Sequence, residues 1–414
     1  MLTPMLTVEE ARQRLVDLAG TLASEATPLD SAAGLVLAEN VVAGRNLPGF
    51  DNSAMDGFAV RVGDVAGASR DQPARLRVVG KVSAGAVSQG EVARGTAVRI
   101  MTGAPIPAGA EAVIEVEETD VEGDEVLVFR APEPGRSFRA AGSDLAAGVS
   151  ALTAGTVLGP SQLGLLAALG VTLPQCYRRP RVALLATGDE LVDASVDPGP
   201  AQVVDIATPS LTAAIAGIGA EALALPRAAD REAAIRDALT QAAAAADMVI
   251  SVGGVSMGQR DLVRPVVEEL GQLDFWRVAM RPGKPLAVGT VQGTPFIGLP
   301  GNPVSALVGF EVFVLPTVMS MGHRAGWARP VRQATLSRAL STPPGLRTFA
   351  RAVVTSAGGG LSAEPVVGQA SYQLAAMASA NALLDVPAEA SSLEAGAAVS
   401  AIMLDQPPGP ATGR

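Results

Sequence analysis

The chain has 414 residues, with 31 Lys and Arg side chains against 41 Asp and Glu, for a formal net charge of −10. At roughly 150 residues per domain this length predicts two to four domains, and 48% apolar residues can fill several cores. One cysteine, Cys176, excludes a disulfide framework and a Cys-rich zinc site, and one histidine, His323, excludes a multi-histidine metal centre, so any metal should be a hard ion held by oxygen. The acidic balance argues against a general nucleic-acid binder.

The start of the chain carries neither the basic residues nor the apolar run of a signal peptide. The longest apolar stretch, residues 163–173, is broken by Gly164, Gly170 and Thr172 and is too short for a bilayer. A cytoplasmic protein without nucleic-acid or membrane partners is expected. Thr7-x-x-Glu10 is a capping box, and Val8, Ala11, Leu15 and Leu18 follow at helical spacing, which predicts a helix over 7–19. A second helical run is expected over 31–40, ahead of an irregular loop at 47–52.

Residues 58–143 change character: short apolar runs at 76–79, 98–100, 113–116 and 126–129 are cut by Gly and Pro, as in a β-rich domain. Residues 160–169 return to helix, closed by Gly170. From Arg181 strands and helices alternate: strands at 182–186, 222–225, 248–252, 275–280 and 295–299. The helices expected between and after them begin at Thr208-Pro209, run over 230–245 capped by Asp230, run over 261–270, and extend from Asn302-Pro303 to about Met321. That alternation predicts a parallel sheet covered on both faces. After Pro330 short strands return (333–336, 349–354, 382–386, 398–403), and the tail 406–414 reads as disordered. The expected domains are 1–50 with 144–180 (helical and mixed), 51–143 (β-rich insertion), 181–328 (α/β) and 329–405 (C-terminal β).

In an open parallel sheet, ligands sit at the carboxyl ends of the strands. Three loops leave such ends: Thr187-Gly188-Asp189-Glu190, Gly253-Gly254-Val255-Ser256-Met257-Gly258 and Pro300-Gly301-Asn302-Pro303. Glycine permits close backbone approach, and free N–H groups with a helix N-terminus favour an anion. The second loop fails both the Walker A pattern and the dinucleotide fingerprint, so no single loop is specific; three on one edge are. Asp189, Glu190, Asp230 and Asp261 follow predicted strand ends, and carboxylates beside an anion site repel it unless a cation such as Mg²⁺ intervenes. Asp230 is equally suited to capping its helix. Arg281-Pro282-Gly283-Lys284-Pro285 fixes two cations in a stiff anion receptor. By pattern alone, Asn52 to Gly57 and Met101 to Pro105 are small-residue turns, His323 is a solvated loop residue and Cys176 has no role.

Asp51-Asn52-Ser53-Ala54-Met55-Asp56-Gly57-Phe58-Ala59, Met101-Thr102-Gly103-Ala104-Pro105, Thr187-Gly188-Asp189-Glu190-Leu191, the 251–258 segment, Arg281 to Pro285 and residues 299–305 occur in one order. In that order the chain resembles the molybdopterin molybdenumtransferase (MoeA-type) family, to which the E-domain of gephyrin is related, over about 7–404. The resemblance implies an elongated four-domain subunit: a central molybdopterin-binding-like α/β domain, a β-rich insertion domain and a C-terminal β-barrel-like domain. It implies insertion of molybdate into adenylylated molybdopterin with Mg²⁺-dependent release of AMP. It further implies a homodimer whose site lies between the α/β domain of one subunit and the Asp56 and Thr102 loops of the other, with a molybdopterin adenylyltransferase as functional partner.

The residues carried over as catalytic are Asp56, Thr102, Glu190, Asp230 and Asp261, with Glu190, Asp230 and Asp261 as the metal set. Substrate contacts would come from Asp189, Gly253, Gly254, Ser256, Arg281, Lys284, Pro300, Asn302, Ser305, Arg351 and Ser371. Two departures stand out: Asp205-Ile206-Ala207 where many members read Asp-x-Asn, and Arg277 and Arg281 where some relatives carry Lys. The alternatives are the sister adenylyltransferase, which usually consists of the α/β domain alone, and a gephyrin-like scaffold, which has no need of these carboxylates.

Overall fold

The apolar run that begins at Arg181 sends side chains to both faces of a sheet in the computed structural model, which describes residues 5–86, 90–253 and 262–410. The chain divides into two units, Met1–Glu25 with Gly34–Val36 and Cys176–Arg414, and Ala26–Ala33 with Leu37–Gln175.

In the first unit, β1 (Arg181–Ala186), β2 (Glu221–Ala224), β3 (Met248–Val252), β4 (Gly271–Arg277), β5 (Pro285–Val291) and β6 (Thr294–Leu299) form one sheet, ordered β2-β1-β3-β6-β5-β4. β2, β1, β3 and β6 are parallel, as the alternation predicts. The expectation of a wholly parallel sheet is corrected at the other edge, where β5 and β4 run antiparallel. Gln292 and Gly293, at φ 49° and 85°, close a two-residue hairpin between β5 and β6, and so short a link cannot make a parallel crossover. The strand expected over 275–280 ends at Arg277, and β5 was not foreseen.

One face carries α1 (Val8–Ala19), α2 (Ala207–Gly217) and α5 (Pro303–Met321), whose Leu15, Leu211, Ile215 and Phe313 meet Val182 and Leu184. The other carries α3 (Glu232–Ala245) and α4 (Val263–Leu270), which meet Ala183 and Leu185. This period-2 division is what a doubly covered strand requires. The α1 capping box forms: Glu10 N donates to Thr7 Oγ1 at 3.1 Å and Thr7 N to Glu10 Oε2 at 2.8 Å. α5 is long and apolar enough to cross a membrane but is 78% buried, as a core helix is. Its middle, Phe310–Val314, widens to a π turn, and Arg12 Nε donates to Val312 O at 3.0 Å there.

Also in this unit, β7 (Val331–Leu336), β8 (Arg347–Ala357), β9 (Gly360–Pro365), β10 (Ala382–Val386) and β11 (Ala398–Met403) close a five-stranded barrel, because β8 pairs with both β9 and β10. Ala350, Ala352, Leu384 and Ala401 fill it. The tail is not wholly free: Gly409–Pro410 pairs antiparallel with Trp327–Ala328, and Arg329 Nη1 donates to Gln406 O at 2.8 Å.

The second unit contains a six-stranded sheet of Ala112–Glu115, Gly57–Val60, Thr96–Ile100, Ala74–Val82, Glu125–Val128 and Thr119–Glu122, in that order. Gly57 is forced by close approach, since a Cβ there would sit 1.9 Å from Ile114 O. The Pro160–Leu169 helix ends on Gly170 in the left-handed region at φ 78°. The helix expected over 31–40 is absent: Gly34 takes φ 75° and Val36–Leu37 is a short strand.

Candidate functional site

In the first unit the carboxyl ends of β1, β3 and β6 lie side by side, so the glycine turns that follow them converge. Gly253 N donates to Leu299 O at 3.2 Å, and a Cβ on Gly301 would lie 3.7 Å from Gly253 Cα. A Cβ on Gly253 would meet Thr187 O at 3.4 Å. Gly188 and Gly253 take φ of 138° and 82°, conformations that side chains other than glycine rarely adopt. Gly254, Ser256 and Asp261 lie outside the described residues.

The acidic residues gather on the first of these turns. Asp189 N donates to Asp230 Oδ2 at 3.2 Å and Asp230 N to Asp189 Oδ1 at 3.0 Å, a reciprocal pair that joins the end of β1 to the loop after β2. Asp230 does not cap α3, contrary to the expectation: that helix starts at Glu232 behind Arg231, with no side-chain cap. The Glu190 carboxylate folds over Gly188, 2.7 Å from where a Cβ would stand. Each aspartate thus spends one carboxylate oxygen on its neighbour's backbone. Among the described residues no three acidic, His or Cys side chains close a metal cage by themselves. Mg²⁺ does not need one, because it is usually held by one or two carboxylates completed by substrate phosphates and water. The oxygen donor set fits such an ion.

The cations come from beyond β4. Met280–Arg281 pairs with Arg347 and Thr348 of the barrel, which brings Arg281 toward Arg351 on β8. Arg351 is fully buried, and Nη2 donates to Gly368 O at 2.7 Å and to Ala370 O at 3.3 Å. Its Nε has no partner among the described residues. Burial, and then the charge of Arg281, hold this guanidinium below its ordinary pKa. Both arginines line a cavity of about 70 Å³, together with Ser341, Thr348 and Gln369. A buried arginine with no carboxylate partner among the described residues, sharing a cavity with a second arginine, favours an incoming anion.

Gly283, at φ 94°, lets the Arg281–Lys284 turn pass close to the first turn of α5, with Ser305 O 3.6 Å from a Cβ position. Ser371 O accepts from Val304 N at 3.1 Å, so Ser305 and Ser371 join this side as well. Asn302 occupies the N-cap position of α5 without a side-chain cap bond, next to Pro300 and Gly301. Two residues take positions that the sequence reading did not assign them. Gln369 accepts from Arg351 N at 3.0 Å and donates to Arg351 O at 2.9 Å. Asp205, rather than Thr208, caps α2 by accepting from Ala207 N, Thr208 N and Thr208 Oγ1 at 3.0, 3.1 and 2.6 Å. An amide or carboxylate just before a helix or beside an arginine was the only available signal for either.

Asp56 and Thr102 belong to the second unit, where Thr102 N and Oγ1 both donate to Asp56 Oδ1 at 2.7 Å. The side-chain bond first, then the backbone bond, lower the Asp56 pKa. The pair is a fixed carboxylate, not two independent turns. His323 is exposed and stacks on Tyr177, with ring centroids 3.4 Å apart. Burial pushes the Cys176 thiol up to about 11, which leaves it unreactive.

Three family models match the chain: MoeA N-terminal region (domain I and II) over residues 6–170, probable molybdopterin binding domain over 183–320, and MoeA C-terminal region (domain IV) over 333–404. The chain is 40% identical over 400 residues to molybdopterin molybdenumtransferase 2 of Mycobacterium tuberculosis, covering 95% of this chain and 98% of the relative. It is 36% identical over 400 residues to molybdopterin molybdenumtransferase of Haemophilus influenzae, covering 96% and 98%. The crystal structure of a molybdopterin biosynthesis MoeA protein from Pyrococcus horikoshii superposes with a TM-score of 0.79 at 29% identity, covering 97% of this chain and all of that one.

Proposed function

The chain belongs to the molybdopterin molybdenumtransferase family, and from that premise we propose how its residues divide the work of inserting molybdenum during molybdenum-cofactor synthesis. The enzyme is a transferase with molybdopterin and molybdate as substrates. In our reading the organic substrate is adenylylated molybdopterin, AMP leaves in a Mg²⁺-dependent step, and a molybdopterin adenylyltransferase supplies the substrate. The protein acts as a cytoplasmic homodimer, with the α/β, insertion and C-terminal domains bounded near residues 51, 144, 181 and 329.

The observation that supports this reading is the convergence of glycine turns at the carboxyl ends of β1, β3 and β6, with the Asp189–Asp230 pair on the first of them and the Arg281–Lys284 turn passing close to the first turn of α5. Two anions must be brought together, and their repulsion grows steeply as water is excluded. Arg281, Lys284 and Arg351 hold molybdate, with the Ser305 and Ser371 segment closing over it. The segment of Gly253, Gly254 and Ser256, with Pro300 and Asn302 at the head of α5, cradles the phosphate linkage, Gly253 giving close approach while its own N–H stays on Leu299 O. Glu190, Asp230 and Asp261, with Asp189 beside them, would hold Mg²⁺. Bound there, the ion supplies Lewis-acid polarisation of the phosphoanhydride. Asp189 keeps Asp230 oriented through the reciprocal backbone bonds. Asp56, fixed by Thr102, serves the reaction from the partner subunit.

The test is AMP release from adenylylated molybdopterin, measured with and without molybdate and Mg²⁺. Release should require both. No AMP under any combination would return the protein to the adenylyltransferase or scaffold readings.

A further inference from the structure

The loop that wraps Arg351 has a feature the molybdate pocket does not use. Its backbone is pinned along its length. Gln369 Nε2 donates to Arg351 O and Val366 O at 2.9 and 3.0 Å, Ala370 N donates to Gln373 Oε1 at 2.8 Å, and Ser371 O accepts from Val304 N at 3.1 Å. Gly368, at φ 93°, brings its Cα against the Gln373 amide, which lies 2.7 Å from where a Cβ would stand. On this fixed loop Val367 and Tyr372 are 80% and 70% exposed, the two highest values among large apolar side chains of the described residues.

We propose that Tyr372, with Val367 on the same loop, is the platform on which a planar heterocycle of the organic substrate stacks. The inference rests on the reading of this rim as the molybdenum-insertion site. Single exposed apolar side chains are common on protein surfaces and need no explanation. These two differ because the loop that carries them is already ordered, so little entropy is lost when a ring settles on it. Tyrosine adds a flat face with only two rotatable angles. The same loop carries the carbonyls that accept from the Arg351 guanidinium and aim it. Gly368 and Ala370, whose carbonyls that guanidinium bonds, are four and two residues before Tyr372, and in this proposal a ligand with its anionic end at Arg351 and Arg281 lays its remainder on Tyr372. An inorganic oxyanion has no part that could use the platform. An adenylylated pterin has two flat rings, and the shared chemistry is stacking of one of them.

The chain contains two tyrosines, and Tyr177 is already stacked on His323. In the full-length protein labelled with 3-fluorotyrosine, the Tyr372 resonance should move on adding AMP or 6-hydroxymethylpterin, while that of Tyr177 stays. A shift with AMP alone identifies adenine as the stacked ring; a shift with the pterin alone identifies the pterin. Tyr372→Ala should raise KM for adenylylated molybdopterin roughly tenfold, with kcat and the molybdate dissociation constant unchanged. Tyr372→Phe and Tyr372→Trp should stay within about threefold of wild type, since the ring and not the hydroxyl is used.

The proposal is overturned if neither probe moves Tyr372, if Tyr372→Ala leaves KM unchanged, or if Tyr372→Phe fails as Tyr372→Ala does. A change of subunit assembly in Tyr372→Ala also overturns it, by making the patch a protein interface. Failure of the transferase reading looks different: wild type would release no AMP while the ring shift persists.

Discussion

Asp230 sits where a helix cap was expected and does something else. Its carboxylate takes the Asp189 N–H, and α3 starts two residues later without it. Removing the side chain therefore takes away one exposed loop hydrogen bond and no helix cap. Asp230→Ala should lower AMP release at least about 100-fold while Tm moves by no more than about 2 °C. A loss of Tm comparable to losing a cap, with turnover kept in the folded fraction, would return Asp230 to a structural role. Asp56 gives a second test at this scale, because Thr102 provides both bonds that depress its pKa. Thr102→Val keeps the backbone donor and deletes the hydroxyl. The Asp56 carboxyl carbon should then titrate at higher pH by NMR, and an unmoved titration would remove the hydroxyl as the main cause.

At the scale of elements the proposed site is built on glycine turns, and two glycines separate packing from positioning. A Cβ on Gly57 would enter the Ile114 carbonyl inside a sheet, so no side chain can move aside. Gly57→Ala should destabilise the second unit by at least about 3 kcal/mol in urea unfolding. The atoms nearest a Cβ on Gly188 are those of the exposed Glu190 carboxylate, at 2.7 Å, although φ 138° adds backbone strain. Gly188→Ala should displace Glu190 and cut turnover more than tenfold, at a smaller cost in stability than Gly57→Ala. The opposite ranking would mean that the turn serves the fold first.

These elements also show where sequence was sufficient. The capping box of α1, the left-handed Gly170 and the four parallel strands β1, β2, β3 and β6 follow from local spacing, and each is present. The antiparallel edge was not legible, because a two-residue Gln292-Gly293 turn looks like any other glycine loop until its φ angles are known. Arg351 was legible only by resemblance. Its burial, its orphaned Nε and the Gln369 that frames it depend on strands far apart in sequence.

Across the whole molecule, each unit carries a carboxylate stabilised by its fold. Burial opposes ionisation of Glu9, but its backbone bond and the charge of Arg347 outweigh it. Burial opposes ionisation of Glu115 too, but Ser137, its backbone bond and Arg136 prevail. Both folded-state values lie below the ordinary one. Their contribution is therefore fully present above the unfolded carboxylate pKa, about 4.3, and is lost as pH falls through the folded values. Acid unfolding followed by circular dichroism should shift to higher pH in Arg347→Met and in Arg136→Met. An unchanged midpoint in either would remove that pair from the acid-stability account.

The remaining question at this scale is whether one chain suffices for catalysis. Asp56 and Asp230 lie in different units of the chain, and the proposed reaction uses the first from one subunit and the second from its partner. Asp56→Ala and Asp230→Ala should each be inactive as homodimers. Mixed after subunit exchange, they form heterodimers in which one site has lost both carboxylates and the other has kept both. With random pairing half of the dimers are mixed, and each has one of its two sites intact, so activity should recover to about a quarter of wild type at most. If each site drew both residues from a single chain, every site in the mixture would lack one carboxylate, and no activity would return. Native mass spectrometry of the exchanged sample reports the heterodimer fraction. Inactivity with heterodimers present would therefore place both residues in one chain's site, and recovered activity would place them across two.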